Sequence, residues 1–328
     1  MAVLVTGGAG YIGSHMVLAL LDSGQEPIVL DNLSTGFRGA VPDRVDFYEG
    51  DISDEGLIDD ICAKHSIDAI IHFAAKTVVP ESILDPLGYY LNNTVKARAL
   101  IDSAARNRIC HFIFSSTAAV YGDVQTNPVT EKDIPAPMSP YGRSKLMTEW
   151  MLEDVSKAHD LNYVILRYFN VAGADPHGRA GQSTANATHL IKVACQAALG
   201  MRASIDVYGT DYPTRDGTCV RDYIHVTDLV HAHLDALAYL RAGGANLKAN
   251  CGYGRGFSVR QVVDIVKLVS GVDFDVRIVE RRPGDPPAII ASNERVTSEL
   301  GWKPRHDDLQ FVVQSALSWE KRLQEHEI

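Results

Sequence analysis

Thr6-Gly7-Gly8-Ala9-Gly10-Tyr11-Ile12-Gly13 follows directly on the apolar run Ala2-Val3-Leu4-Val5 and opens a helical pattern over residues 12–23. Glycines at Gly7, Gly10 and Gly13 allow a tight turn, a close approach of backbone to a pyrophosphate, and close packing of helix on strand. The helix N-terminus then faces the anion. A glycine triplet alone is a weak signal. On a strand, turn and helix that begin a βαβ unit, it meets the context that dinucleotide binding requires. The next apolar run, 27–30, ends at Asp31, where an acid bonds the adenosine ribose hydroxyls and repels a 2′-phosphate. NAD is therefore favoured over NADP, although Arg38 nearby is able to host a phosphate. Asp51, at the end of the following run, either contacts adenine or serves as a turn residue before a Ser53 N-cap.

Outward from this turn, short apolar runs at 2–6, 27–30, 45–48, 69–73, 110–114 and 163–166 read as strands. Helical patterns at 12–23, 53–64, 86–106 and 141–159 lie between several of them. Near-continuous apolar strands joined by helices predict an α/β fold, a Rossmann doubly wound parallel sheet covered on both faces. After residue 172 the pattern loosens. Loops at 173–181, 209–217 and 281–287 separate shorter elements, among them a helical run over 227–241. The expected organisation is an NAD-binding Rossmann domain over residues 1–175 and a smaller, more irregular α/β region over 176–328. The two pack around one cleft with some interleaving.

The chain has 328 residues and a net charge of −10, which argues against nucleic acid or an anionic membrane as partner and leaves an anionic small ligand open. Five scattered cysteines form no Cys-x-x-Cys pair, so neither a disulfide framework nor a structural zinc is expected, and a reducing cytoplasm fits. His231 and His233, two apart on a helix, point to different faces and do not make a metal pair. Residues 2–5 are too short for a signal-peptide apolar region, and no run is long enough to span a bilayer.

The chemistry is carried by Ser115-Ser116-Thr117 and by Tyr141-Gly142-Arg143-Ser144-Lys145. Tyr and Lys four apart share a helix face. A phenol titrates near 10, and an ammonium beside it favours the phenolate. A hydroxyl from the Ser/Thr cluster can share a substrate oxygen with the tyrosine. Together these groups suit taking a proton from an alcohol while a hydride leaves its carbon.

Taken in order, Thr-Gly-x-x-Gly-x-x-Gly, Asp31-Asn32, Ser115–Gly122 (SSTAAVYG), Ser139–Met147 (SPYGRSKLM), Arg167-Tyr168-Phe169-Asn170 and Val220–Val226 (VRDYIHV) resemble the extended short-chain dehydrogenase/reductases. Within them the chain is similar to the UDP-glucose 4-epimerase family, particularly the epimerases of rhizobial exopolysaccharide synthesis, from residue 2 to residue 320. The resemblance implies a tightly held NAD. It would meet Gly7, Gly10, Tyr11, Ile12, Gly13, Asp31, Asn32, Ser34, Thr35, Gly36, Asp51, Ile52, Phe73, Ala74, Ala75, Lys76, Asn92, Ser115, Tyr141, Lys145, Tyr168 and Phe169. A lysine that touches the nicotinamide ribose in many relatives aligns with Thr77, with Lys76 one position earlier.

For a UDP-sugar the resemblance implies Thr117, Tyr141, Asn170, Thr188, His189, Asp206, Val207, Tyr208, Arg221, Arg282 and Asp285. Arg221 either anchors a pyrophosphate or pairs with Asp222. Tyr208 either faces a uracil ring or is core. The implied activity is reversible C4 epimerisation of UDP-galactose and UDP-glucose through a 4-keto sugar. In it Tyr141 is base and acid, Thr117 bonds O4, and Lys145 lowers the Tyr141 pKa and positions the nicotinamide ribose. A 4,6-dehydratase would need an acid and a base after Thr117, where Ala118 and Ala119 stand. A non-catalytic NAD sensor would typically lack the Tyr or the Lys. Ile289, where relatives carry a bulky aromatic, implies some room for N-acetyl sugars. A homodimer through the helices at 86–106 and 141–159 is also implied.

Overall fold

The computed structural model describes residues 1–326 apart from Ala185, Asn186 and Pro283; of His326 only the backbone is described. From the N-terminus run β1 (Ala2–Thr6), α1 (Tyr11–Asp22), β2 (Glu26–Asp31), β3 (Asp46–Glu49), α2 (Glu55–Lys64) and β4 (Ile67–His72). Next come α3 (Val79–Leu84), α4 (Pro86–Tyr90), a π turn (Leu91–Val95), α5 (Lys96–Arg106), β5 (His111–Thr117), α6 (Pro140–Ala158) and β6 (Asn162–Tyr168). The later chain supplies β7 (Asn170–Ala172), α7 (Leu190–Ala198), β8 (Ser204–Tyr208), β9 (Val220–His225), α8 (Val226–Arg241) and β10 (Leu247–Cys251). It ends with β11 (Gly256–Ser258), α9 (Val259–Ser270), β12 (Asp275–Val279), β13 (Ala288–Ile289), α10 (Glu294–Leu300) and α11 (Leu309–His326).

Seven parallel strands form the main sheet in the order β10-β6-β5-β4-β1-β2-β3. The apolar runs alternate between its faces as the two-residue period of a strand requires. Val3, Val5, Val29, Ile71, Ile113 and Val164 join α1 and α8 in one core. Leu4, Ile28, Leu30, Ile70, Phe112, Phe114 and Ile165 join α2, α5 and α6 in the other. The chain leaves β1 toward β2 and later returns to its other side as β4. The carboxyl ends of β1 and β4 therefore open a crevice at the switch point, where doubly wound sheets bind ligands.

The residue 175 boundary is crossed by the fold. After leaving the main sheet, the chain comes back as α8, which packs on α1, and as β10, which pairs with β6. The remaining strands make two small sheets: β9 pairs with β7, β11 and β13, and β8 pairs with β12. A separate core under them joins α7, α9 and α11.

Two local expectations are corrected. Helix α2 is capped by Asp54, which accepts from Leu57 N at 3.0 Å, while the Ser53 hydroxyl donates to Asp51 at 2.7 Å. The Asp side chain one residue later reaches the free N–H groups better. The helical run at 86–106 is also not uniform. It widens into the π turn, where Asn93 is drawn inward to bond the Lys76 backbone at 2.9 Å.

Under the site, Glu149 of α6 takes Arg167 of β6 in a two-pronged ion pair at 2.5–3.2 Å and accepts from Ser116 of β5 at 2.5 Å. Both charges are buried. Replacing Glu149 alone by Leu strands the arginine, and an expected loss of about 3–5 kcal/mol follows. Glu149→Leu with Arg167→Met should cost clearly less than the two single changes added together. Urea unfolding of the four proteins measures this, and simple additivity would contradict it.

Candidate active site

The glycine turn is closed by backbone alone. Gly7 has φ +73°, and a Cβ there would stand 2.6 Å from Ala74 N; a Cβ on Gly13 would stand 2.0 Å from Gly7 O. Gly10 caps α1 without a side chain, so the first N–H groups of the helix remain open to a ligand. Tyr11 donates its hydroxyl to Gly173 O at 2.6 Å, while Ile12 packs on the α1 core. Asp31, at the end of β2, accepts from Ala9 N at 2.9 Å and Leu33 N at 2.8 Å, which fixes the acid beside the turn and leaves lone pairs for hydroxyl donors.

Gly36 lies so close to Ala9 that a Cβ would come within 2.8 Å of its backbone. Asn32, Ser34 and Thr35 line the exposed rim between them. Arg38 is committed elsewhere, stacked over Phe47 and donating to Val41 O at 2.8 Å. A cradle with no side chain, a helix N-terminus and an acid at its edge fit a dinucleotide with free ribose hydroxyls.

Asp51 is a turn residue ahead of α2, accepting from Ser53 N at 3.0 Å and from the Ser53 hydroxyl at 2.7 Å. Burial works to raise its pKa, but bonds from Lys96 at 2.5 Å and from Ser53 hold it down at about 2. It also accepts from Asn32 at 3.3 Å, at the crevice rim. Ile52 is core. After β4, the amides of Phe73 and Ala74 donate to Thr6 O, setting the chain through Ala75 beside the glycine turn. The Lys76 amine is engaged by Glu81 at 3.2 Å and Asp85 at 3.6 Å, Thr77 is exposed, and Asn92 donates to Asn93.

Ser139 caps α6, accepting from Gly142 N, and Pro140 starts the helix, so Tyr141, Lys145 and Glu149 fall on one buried face. The Lys145 amine donates to Ser115 O at 3.0 Å and lies 4.9 Å from the Phe114 ring centroid. Burial draws its pKa down to about 7, opposed by Glu149. Burial likewise raises Tyr141, while a hydrogen bond with Thr117 lowers it. In the protein alone, the group acting on the phenol is thus Thr117, with Lys145 turned to the Ser115 carbonyl. The Ser115 hydroxyl meets His233 at 3.2 Å, and Phe73 and Tyr168 flank the same ring. From sequence His233 is weighed only as half of a metal pair, because its meeting with Ser115 depends on where α8, far along the chain, comes to lie. Phe169 turns away into a cluster with Ala118, Val120, Tyr121 and Ile289.

The other candidates fall into groups. Asn170 and His189 line a small pocket with Gln182, Lys192, Tyr223 and Trp319. Gln182 bonds His189 at 2.5 Å and its carbonyl accepts from Lys192, which is paired with Glu320; Thr188 is exposed beside them. Arg221 pairs with Asp285 at 3.5 Å and donates to Pro286 O at 2.8 Å. Its neighbour Asp222 instead accepts three backbone N–H groups, and burial lifts its pKa to about 6. Tyr208 is surface-exposed under the Arg282 guanidinium at 4.1 Å, so it is not core. Asp206 is held by Arg277 across the ladder at 2.9 Å, and Val207 is buried. Among the described residues no group of acids, histidines or cysteines is arranged to hold a metal, and no helix is long and apolar enough to cross a membrane.

Fold and site together define a Rossmann protein with a dinucleotide crevice and a buried tyrosine, lysine and threonine at its end. Residues 3–252 match the family described as NAD dependent epimerase/dehydratase, and the chain belongs to that family. It is 54% identical over 323 residues to a UDP-glucose 4-epimerase of Azospirillum brasilense, covering 98% of this chain and 93% of that one. A UDP-glucose 4-epimerase of Rhizobium meliloti is 45% identical, with 98% and 97% covered. The structure of a UDP-glucose-4-epimerase from Stenotrophomonas maltophila with NAD and formylated UDP-arabinopyranose superposes with a TM-score of 0.95, at 37% identity and 99% coverage of both chains.

The lysine gives a test with a sign. Unfolded, it titrates at 10.5; folded, at about 7. Below pH 7 both states are protonated and the fold carries the whole cost of burying the charge. As pH rises from 7 toward 10.5 that cost fades. Lys145→Met should therefore exceed the wild type in urea midpoint by more at pH 6 than at pH 9. A difference that grows with pH would contradict the burial.

Proposed function

We propose that this chain interconverts UDP-galactose and UDP-glucose by inversion at C4 through a 4-keto sugar, with NAD retained between turnovers. The observation that carries the reading is the buried set of Tyr141, Lys145 one helical turn along and Thr117 at the end of β5, where the sheet opens its crevice. The activity named for its relatives supports it. Gly7, Gly10, Gly13 and Asp31 would hold the dinucleotide, with Ser115, Tyr168 and Lys145 at its far end.

When bound, NAD accepts and returns the C4 hydride, and its oxidised form brings a positive charge toward the buried phenol. Tyr141 takes the 4-hydroxyl proton and later gives it back, a role usually contributing 10²–10⁴-fold. Thr117 bonds the same oxygen and so keeps it in line with the phenol. Between the two proton transfers the sugar turns over while its diphosphate stays anchored. Arg221 and Arg282 suit that anchor, Asp285 suits the ribose hydroxyls, and Tyr208 the uracil. Asn170, Thr188, His189, Asp206 and Val207 complete the proposed substrate region. The methyl groups of Ala118 and Ala119 cannot move protons, so the 4-keto sugar is not carried on to dehydration.

A homodimer in the cytoplasm completes the proposal. Leu84, Leu87, Leu91 and Val95 form an apolar stripe along α3, α4 and the π turn, with Leu84 and Leu87 86% and 78% exposed. Trp150 is exposed on α6, against which those elements pack. Five free cysteines suit a reducing compartment.

Two experiments follow. Tyr141→Phe should lower turnover of UDP-galactose about a thousandfold and Thr117→Val about tenfold to a hundredfold, followed by NMR. UDP-N-acetylglucosamine should turn over more slowly than UDP-galactose. Full activity in Tyr141→Phe would remove the mechanism, and no turnover of the N-acetyl sugar would remove the broader range. Sedimentation should give twice the chain mass, reduced to one by Leu87→Asp with Leu91→Asp; a monomeric wild type would refute the dimer.

A further inference from the structure

The peptide unit between Gly173 and Ala174 lies just past β7, soon after the chain leaves the main sheet, and both residues are buried. It is gripped from two sides. Its carbonyl accepts from the Tyr11 hydroxyl at 2.6 Å, and Tyr11 stands in the first turn of α1, directly after Gly10 of the glycine turn. Burial pushes that phenol well above its ordinary range, so it keeps the proton it donates. The peptide N–H donates to Ser315 Oγ of α11 at 3.2 Å. The serine is oriented in turn. His225 Nδ1 accepts from Thr227 N at 3.2 Å, and burial draws the imidazole pKa down to about 3, so the neutral ring carries its proton on Nε2. Nε2 donates to Ser315 Oγ at 3.1 Å, and the serine sends its own proton to Val312 O at 2.9 Å. Gly173 has φ +92°, and a Cβ there would stand 2.5 Å from the His225 ring, so only glycine brings the peptide this close.

These bonds join two cores. α1 packs with the main sheet, whereas Ala172, Tyr223 and Val312 belong to the core of α7, α9 and α11. β7 pairs with β9, Asn170 against Tyr223, and Arg221 stands two residues before Tyr223. The N–H groups of the first turn of α1 lack partners within the helix. A diphosphate bound there fixes the turn, and the hydroxyl carried by that turn fixes Gly173. We propose that Tyr11 is a positioning residue that couples the two ends of the cleft: a filled dinucleotide turn holds β7 and β9 in place for a UDP-sugar, and each ligand tightens the other. The coupling factor is the same in both directions by linkage. The inference rests on the reading that the crevice takes NAD and the later sheets a UDP-sugar.

Equilibrium dialysis of the holoenzyme against labelled NAD, with and without saturating UDP, gives the dissociation constant of NAD in each state. In the wild type UDP should tighten NAD about tenfold. Tyr11→Phe keeps the ring edge-on to His15 and loses only the hydroxyl, and the factor should fall to about twofold. A merely structural role would weaken NAD equally with and without UDP and leave the factor as it was. An unchanged factor in Tyr11→Phe therefore overturns the inference, as does a wild type that binds UDP without tightening NAD. Should Tyr11→Phe fail to hold NAD, Ser315→Ala releases the other side of the same peptide and is read in the same way. Dialysis of labelled UDP against the holoenzyme reports its binding separately. A wild type that binds no UDP would overturn the substrate reading itself and the inference with it.

Discussion

The carboxylate of Glu149, buried between the Arg167 guanidinium and the Ser116 hydroxyl, fixes where α6 lies against the main sheet. Tyr141 and Lys145 precede Glu149 by two turns and one turn on the same helix face. Thr117 follows Ser116 directly, and Tyr168 follows Arg167. A single ion pair therefore sets the distance between the phenol, the amine and the strand ends that face them. The arginine reaches on to the Tyr121 hydroxyl at 3.0 Å, which donates to Asn250 of β10 at 2.7 Å. A charge pair shielded from water is costly to separate. That rigidity is what a proton-transfer site needs, because small displacements are expensive in rate.

The two ends of the cleft are built differently. The dinucleotide end is backbone against backbone, with glycines where a Cβ would strike Ala74 or Gly7. The proposed substrate end consists of long side chains paired with one another, Arg221 with Asp285 and Arg282 with Tyr208. Pairs that water reaches in part hold one another only loosely. In the proposed function they would be exchanged for a diphosphate and uridine, whereas the glycine cradle has one shape only.

Much of this was legible in the sequence where the cause is local. The glycine turn, the alternating apolar runs and the Tyr141–Lys145 spacing all depend on near neighbours. The return of α8 and β10 to the first sheet was not legible, because nothing near residues 226–251 states which strand they will meet. The π turn at Leu91–Val95 escaped for a similar reason: it exists to bring Asn93 to Lys76. Competition between adjacent polar residues decided the α2 cap, where Ser53 and Asp54 both qualify by type. His233 had been weighed only as a metal ligand. Its relation to Ser115 exists only once α8 is folded behind β5.

In the proposed mechanism the hydrogen at C4 leaves and comes back within one closed site while Tyr141 handles only the hydroxyl proton. The most direct measurement incubates the purified protein, without added NAD, with UDP-galactose deuterated at C4 and follows the products by NMR. The expected product is UDP-glucose with deuterium still at C4. Epimerised product that has lost the label to water, or no product at all, would contradict it.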